Sequence, residues 1–190
     1  MWANPGWAFL GVIPFFFSSA PFGYVPGVRV AAVMGLHLFN SLVAAMLYRA
    51  YRRDSSDGRA WLKKLVLFQF YIGCTWGATI WLLWVHGNPA NNVFVIAPFI
   101  GLLWAYAMSR TMHVGVYLAA VLPVVSLGFL RAITSPGVSS HAVALVLPVV
   151  FCYTLAAALF AIRQYEAILV PGLVNDDMAV DLRRAHDEAI

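Results

Sequence analysis

Apolar residues run unbroken for a dozen or more positions at a time through most of this chain, and residues 58 to 165 contain no carboxylate. All eight acids are Asp54, Asp57, Glu166, Asp176, Asp177, Asp181, Asp187 and Glu188. Stretches so long and so poor in charge suit lipid, where every backbone N–H and C=O must bond within its own helix or a closed barrel. Barrel strands would alternate apolar and polar residues with period two, and that alternation is missing. Only 11% of the residues are charged, against about 25% in soluble domains. The sequence therefore predicts an all-α, multi-pass membrane protein.

Six spans are expected, at 7–24, 28–48, 65–85, 92–108, 113–130 and 141–162. The first is interrupted by Pro14 and Pro21 and carries Ser18 and Ser19. It reads as a kinked full span, with a re-entrant segment as the alternative. Met1 to Pro5 has no positive charge, so a cleavable signal peptide is not expected. The phrase Val121-Leu122-Pro123-Val124-Val125 recurs at Val146 to Val150. On consecutive antiparallel spans this is coincidence and not a transporter repeat. Pro98, Pro123 and Pro148 are expected to kink the last three spans.

The loop after the second span holds Arg49, Arg52, Arg53, Arg59, Lys63 and Lys64, which by the positive-inside rule faces the cytoplasm. With alternating spans, ten basic residues fall inside and two, Arg29 and Arg131, outside. Both termini are then cytoplasmic. Tyr24, Trp61, Trp84 and Trp104 lie near span ends, where such rings anchor in the headgroup layer. The short loops leave no room for a domain that captures a large soluble ligand. No basic run suggests nucleic acid, and Cys74 and Cys152 sit in apolar runs with neither disulfide nor metal spacing.

Within the spans, His37, Asn40 and Ser41 share one helical face, and Gln69, Gly73, Trp76 and Gly77 share another. Gly73 to Gly77 is a GxxxG that permits close helix packing. Counted from opposite ends, His37, Trp76 and Tyr153 reach similar depth. His37, Asn40, Trp76 and Tyr153 are accordingly the candidate pocket for a small apolar ligand, and hydrogen bonding across helices is the competing role. A haem would need two histidines at depth, whereas His86, His113 and His141 fall at span ends. No catalytic motif, metal site or cofactor site is expected.

After Pro171-Gly172, expected to break the last helix, Met178, Leu182, Ala185 and Ala189 follow the four-three-four spacing of a heptad core. Asn175 is a suitable N-cap, and Asp176 and Asp177 suit a first turn. The segment is either a solvated amphipathic tail or a linker helix within which the chain stops. The division expected is a membrane region over 1–165 and a cytoplasmic linker with the start of a coiled coil over 166–190.

The tail Asp181-Leu182-Arg183-Arg184-Ala185-His186-Asp187-Glu188-Ala189 resembles the signalling helix that joins membrane regions to the dimerisation domain of bacterial sensor histidine kinases, often hybrid ones. The phrase Gly73-Cys74-Thr75-Trp76-Gly77 after a basic loop, and the six-span plan, are similar to the input regions of those kinases and of related diguanylate cyclases. The resemblance implies a sensory module of the bacterial inner membrane, homodimeric through its C-terminal helix and passing its signal to a cytoplasmic output. It departs from the family where His186-Asp187-Glu188 is followed by Ala189 and Ile190 instead of Arg-Thr-Pro, so no phosphoacceptor role is carried over and catalysis would belong to the output. A small transporter subunit is the competing class, disfavoured because carriers and pumps usually hold acids within the membrane. The charge asymmetry makes a direct prediction: a topology reporter fused after Ile190 should report the cytoplasm and one inserted within Asn88 to Asn92 the opposite side. The reverse pattern would overturn the orientation.

Overall fold

The structure is a computed structural model that describes the backbone of residues 25–54, 56–109 and 113–188 and the side chains of 25–54, 56–107, 113–165 and 167. Five helices make up this region: α1 (Gly27–Arg53), α2 (Gly58–Leu83), α3 (Pro89–Ser109), α4 (Val114–Ile133) and α5 (Val138–Glu188). No strand occurs among the described residues. All five are long and apolar enough to cross a membrane, α5 over Val138–Tyr165. The second to sixth expected spans are thus present, while the first, at 7–24, lies outside the described residues.

The connections follow from local chemistry. Asp57 caps α2, its carboxylate accepting from the Ala60 N–H at 2.9 Å. Asp54 accepts from both the N–H and the hydroxyl of Ser56, at 3.1 and 2.7 Å, which holds its carboxyl below the usual range. Asn88 precedes Pro89 at the start of α3 and accepts from the Asn91 N–H at 3.0 Å, the favoured order of cap and proline. His113 caps α4 by accepting from Gly115 N–H at 3.1 Å.

The central packing is α2 on α4, with α5 against α4 and α3, and α1 on the side of α2. In lipid, apolar burial between helices brings no hydrophobic gain, so close backbone approach and polar contacts must supply the attraction. The GxxxG does this. A Cβ at Gly73 would collide with the Ala120 carbonyl oxygen and lie 3.1 Å from Pro123 Cγ, and one at Gly77 would lie 2.5 Å from Leu127 Cδ1. One turn on, Trp81 Nε1 donates to the Leu127 carbonyl at 2.9 Å. These successive contacts show that α2 and α4 run parallel. Two apolar clusters fill the interior. The first joins Ile80, Leu83, Trp84, Val95, Phe99 and Leu147, and the second joins Leu103, Tyr106, Tyr117, Val121 and Ala158.

The outward faces remain apolar. Leu38, Leu42 and Met46 on α1 are exposed, as are Leu145, Val149 and Phe160 on α5, which suits hydrocarbon and not water. Three expectations are corrected. Trp84 is 1% exposed and belongs to the core rather than to an interfacial anchor, because it turns inward against Phe99 and its neighbours at the end of α2. Trp61 does sit at a helix start, where its Nε1 donates to the Asp54 carbonyl and Lys64 lies over its ring at 4.2 Å. Helix α5 does not break at Pro171-Gly172 but runs unbroken to Glu188, and Asn175 is inside it rather than at a cap. A proline removes one hydrogen bond, whereas stopping and starting a helix repeats the unfavourable nucleation step.

Gly73→Ala should destabilise the protein by about 1–3 kcal/mol in a detergent melt, the range for overpacking, because a backbone carbonyl stands in the way. Gly77→Ala should also be destabilising, since Leu127 Cβ, which no side-chain rotation moves, would lie 2.8 Å from the new methyl. Melting unchanged in both variants would mean that the helices separate freely at these points.

Candidate functional site

The polar groups of α1 meet those of α2. Buried Val33, His37 and Asn40 mark the inner face of α1, and Thr75 and Thr79 lie one turn apart on α2. His37 Nε2 is 3.1 Å from Thr79 Oγ1, and Asn40 Nδ2 donates to Thr75 Oγ1 at 2.8 Å. Each threonine spends its single proton on its own helix: Thr79 donates to the Thr75 carbonyl at 2.9 Å and Thr75 to the Ile72 carbonyl at 2.8 Å. Thr79 Oγ1 can therefore only accept from the imidazole, which places a proton on His37 Nε2. The His37 ring also lies 4.1 Å from that of Trp76, which in turn meets Phe99 edge-on at 5.5 Å.

The structure thus brings together three of the four expected residues, His37, Asn40 and Trp76. Tyr153 stands apart. It is 65% exposed on α5 and packs against Trp104 of α3 at 5.5 Å, because the face of α5 that carries it turns outward. None of the four lines the cleft between Asn88 and Ser140 or the one between Leu62 and Ala119. Asn40 Oδ1 and, farther along α2, Gln69 Oε1 are buried with no hydrogen-bond partner among the described residues. Each is an open acceptor for a donor group. Cys74 is half-buried, and Cys152 is exposed.

Several contacts were not visible in the sequence. Tyr117 donates its hydroxyl proton to Thr154 at 3.0 Å, a buried bond between α4 and α5. Asn91 Nδ2 donates to the Leu83 carbonyl at 2.9 Å, and Asn92 Oδ1 accepts from Val85 N–H at 3.2 Å. These two asparagines satisfy backbone left open where α2 ends. Among the described residues no group of three or more His, Cys, Asp or Glu could hold a metal ion.

What these features define, over the described residues, is an all-helical protein with five segments long and apolar enough to cross a membrane. No family model matches the chain, and neither a curated protein nor a solved structure matches it.

The polar seam makes a prediction. His37→Ala and Asn40→Ala should each lower stability by ~0.6 to 2 kcal/mol, the range for interhelical polar contacts in membranes, measured by melting in detergent. Tyr153→Ala should cost less, since its ring is largely outside the bundle. A Tyr153→Ala loss equal to that of His37→Ala would tie the outer face to the seam.

Proposed function

We propose that this chain is the membrane-embedded input module of a bacterial signal-transduction protein. In this reading the helix bundle responds to a small apolar molecule or to the state of the membrane. It then moves the last helix, whose cytoplasmic end pairs with a second copy and drives a kinase or, alternatively, a diguanylate cyclase output. The observation that supports the reading is α5 itself. Its 51 residues run without a break from the outer end of the bundle past Tyr165, so about 23 residues, or roughly 35 Å of helix, extend beyond the span. A continuous helix transmits rotation or displacement that a flexible linker would absorb.

The proposed input must favour one of two bundle states over the other, since a ligand with equal affinity for both shifts nothing. The α1–α2 seam is the suggested input region. Its open acceptor on Asn40 lies one turn along α1 from His37, whose ring contacts Trp76, and on the same side chain that bonds Thr75. The heptad residues Met178, Leu182 and Ala185 lie on the described backbone of α5, but their side chains, and Ala189 altogether, lie outside the described residues. The coiled coil therefore rests on sequence spacing. The transporter reading gains no support from the bundle, whose buried polar groups pair mainly helix to helix.

Cysteine substitution tests the output end. In membranes, Leu182→Cys and Ala185→Cys should crosslink between copies, while Arg183→Cys and Asp187→Cys should do so far more weakly. Equal crosslinking at all four positions would remove the paired-helix mechanism.

A further inference from the structure

The end of the bundle opposite the basic loop gathers positive charge that the chain does not neutralise. Arg131, in the last turn of α4, places Nη2 3.4 Å from His86 Nδ1 and its guanidinium carbon 4.9 Å over the Trp81 ring. A guanidinium can only donate, so His86 Nδ1 accepts, which in a neutral ring leaves the imidazole proton on Nε2, able to donate to another group. The Nε of Arg131 is buried with no hydrogen-bond partner among the described residues. Arg29, exposed in the first turn of α1, lies at the same end of the bundle.

No carboxylate can reach this cluster. Asp54 and Asp57 lie in the loop at the other end, Glu166 and the remaining acids follow the span of α5 at that same other end, and residues 1–24 contain none. Three helices begin at this end, at Gly27, Pro89 and Val138, and two finish there, at Leu83 and Ile133. Arg131 sits in the last turn of one of the latter, where the partial negative charge of the helix end favours a cation but leaves the side-chain Nε without a partner. At the same end of the bundle, an open cleft of about 360 Å³ runs between Gly87, Asn88 and Asn92 on one side and Gly137, Ser139 and Ser140 on the other. A guanidinium with a buried, unpaired N–H is unfavourable unless an acceptor joins it.

We propose that Arg131, Arg29 and His86 form a binding site for a phosphate-type oxyanion, with Trp81 fixing the Arg131 fork from below. The group belongs either to an anionic lipid headgroup in the outer half of the bilayer or to a soluble phosphate that enters by the cleft. Arg131 supplies the directional contact, since its planar fork matches two oxygens of such a group. Arg29 adds charge from the rim. The site stands apart from the α1–α2 seam and does not depend on which output the last helix serves.

The test uses the full chain in a phosphate-free maltoside detergent and follows melting temperature during two titrations, both at constant ionic strength. One uses inorganic phosphate and the other dioctanoyl phosphatidylglycerol. A saturable rise of several degrees is expected, because a ligand that binds only the folded state stabilises it. A rise with the lipid alone supports the headgroup, and a rise with phosphate as well supports the soluble anion. Arg131→Gln should raise the half-saturating concentration about tenfold or more, the size expected for a lost charge-assisted contact. Arg29→Gln should act in the same direction more weakly, and it decides the matter if Arg131→Gln does not fold. Arg59→Gln, at the opposite end, should titrate as the parent does. The site is overturned if neither probe raises the melting temperature, if Arg29→Gln and every folded Arg131 variant titrate unchanged, or if Arg59→Gln has as large an effect.

Discussion

The close approach of α2 and α4 is the contact on which the rest of the bundle depends. In lipid a leucine is no better off against another helix than against an acyl chain, so association needs backbones near enough for dense dispersion contact. Gly73 and Gly77 allow that approach, with the Ala120 carbonyl, the Pro123 ring and Leu127 filling the space where side chains would stand. The same ridge continues through Trp81, which binds the Leu127 carbonyl and carries Arg131 over its face. A single stripe on α2 thus sets the register of α4 and positions the charged end of the bundle.

Polar groups then decide which other faces turn inward. His37 and Asn40 on α1 find Thr79 and Thr75 on α2, and Tyr117 on α4 finds Thr154 on α5. In each bond a threonine oxygen accepts while its own proton returns to a carbonyl on the same helix. That arrangement spares two groups at once, because an unpaired donor in hydrocarbon costs several kcal/mol. It also keeps the seam neutral: no ion is needed to hold α1 in place.

Charge is separated along the bundle instead. One end bears the loop of Arg52, Arg53, Arg59, Lys63 and Lys64 with the two nearby aspartates, and the other bears Arg29, Arg131 and His86 with no acid. The long last helix links these two worlds physically, starting at the acid-free end and leaving past the basic one. A disturbance at either end thereby has a rigid path to residues beyond the span, which is the property the proposed sensory role requires.

Hydropathy and charge alone determined that the chain is helical and where the five described spans lie, because transfer into lipid sums over about 20 consecutive residues and needs no knowledge of neighbours. The GxxxG and the shared face of His37 and Asn40 were legible for a similar reason, since helical periodicity is local. Only the tertiary structure decided which faces meet. Tyr153 has the right depth but points outward to Trp104, Trp84 lies near a span end yet is buried, and Asn91 and Asn92 close the end of α2 from the next helix. Depth along an axis can be counted from sequence, whereas rotation about that axis is set by whichever neighbour packs first. Pro171 is the complementary case. Its residue type signals a break, but the helix on both sides holds it in register, and a local rule yields to the cooperativity of a 51-residue element.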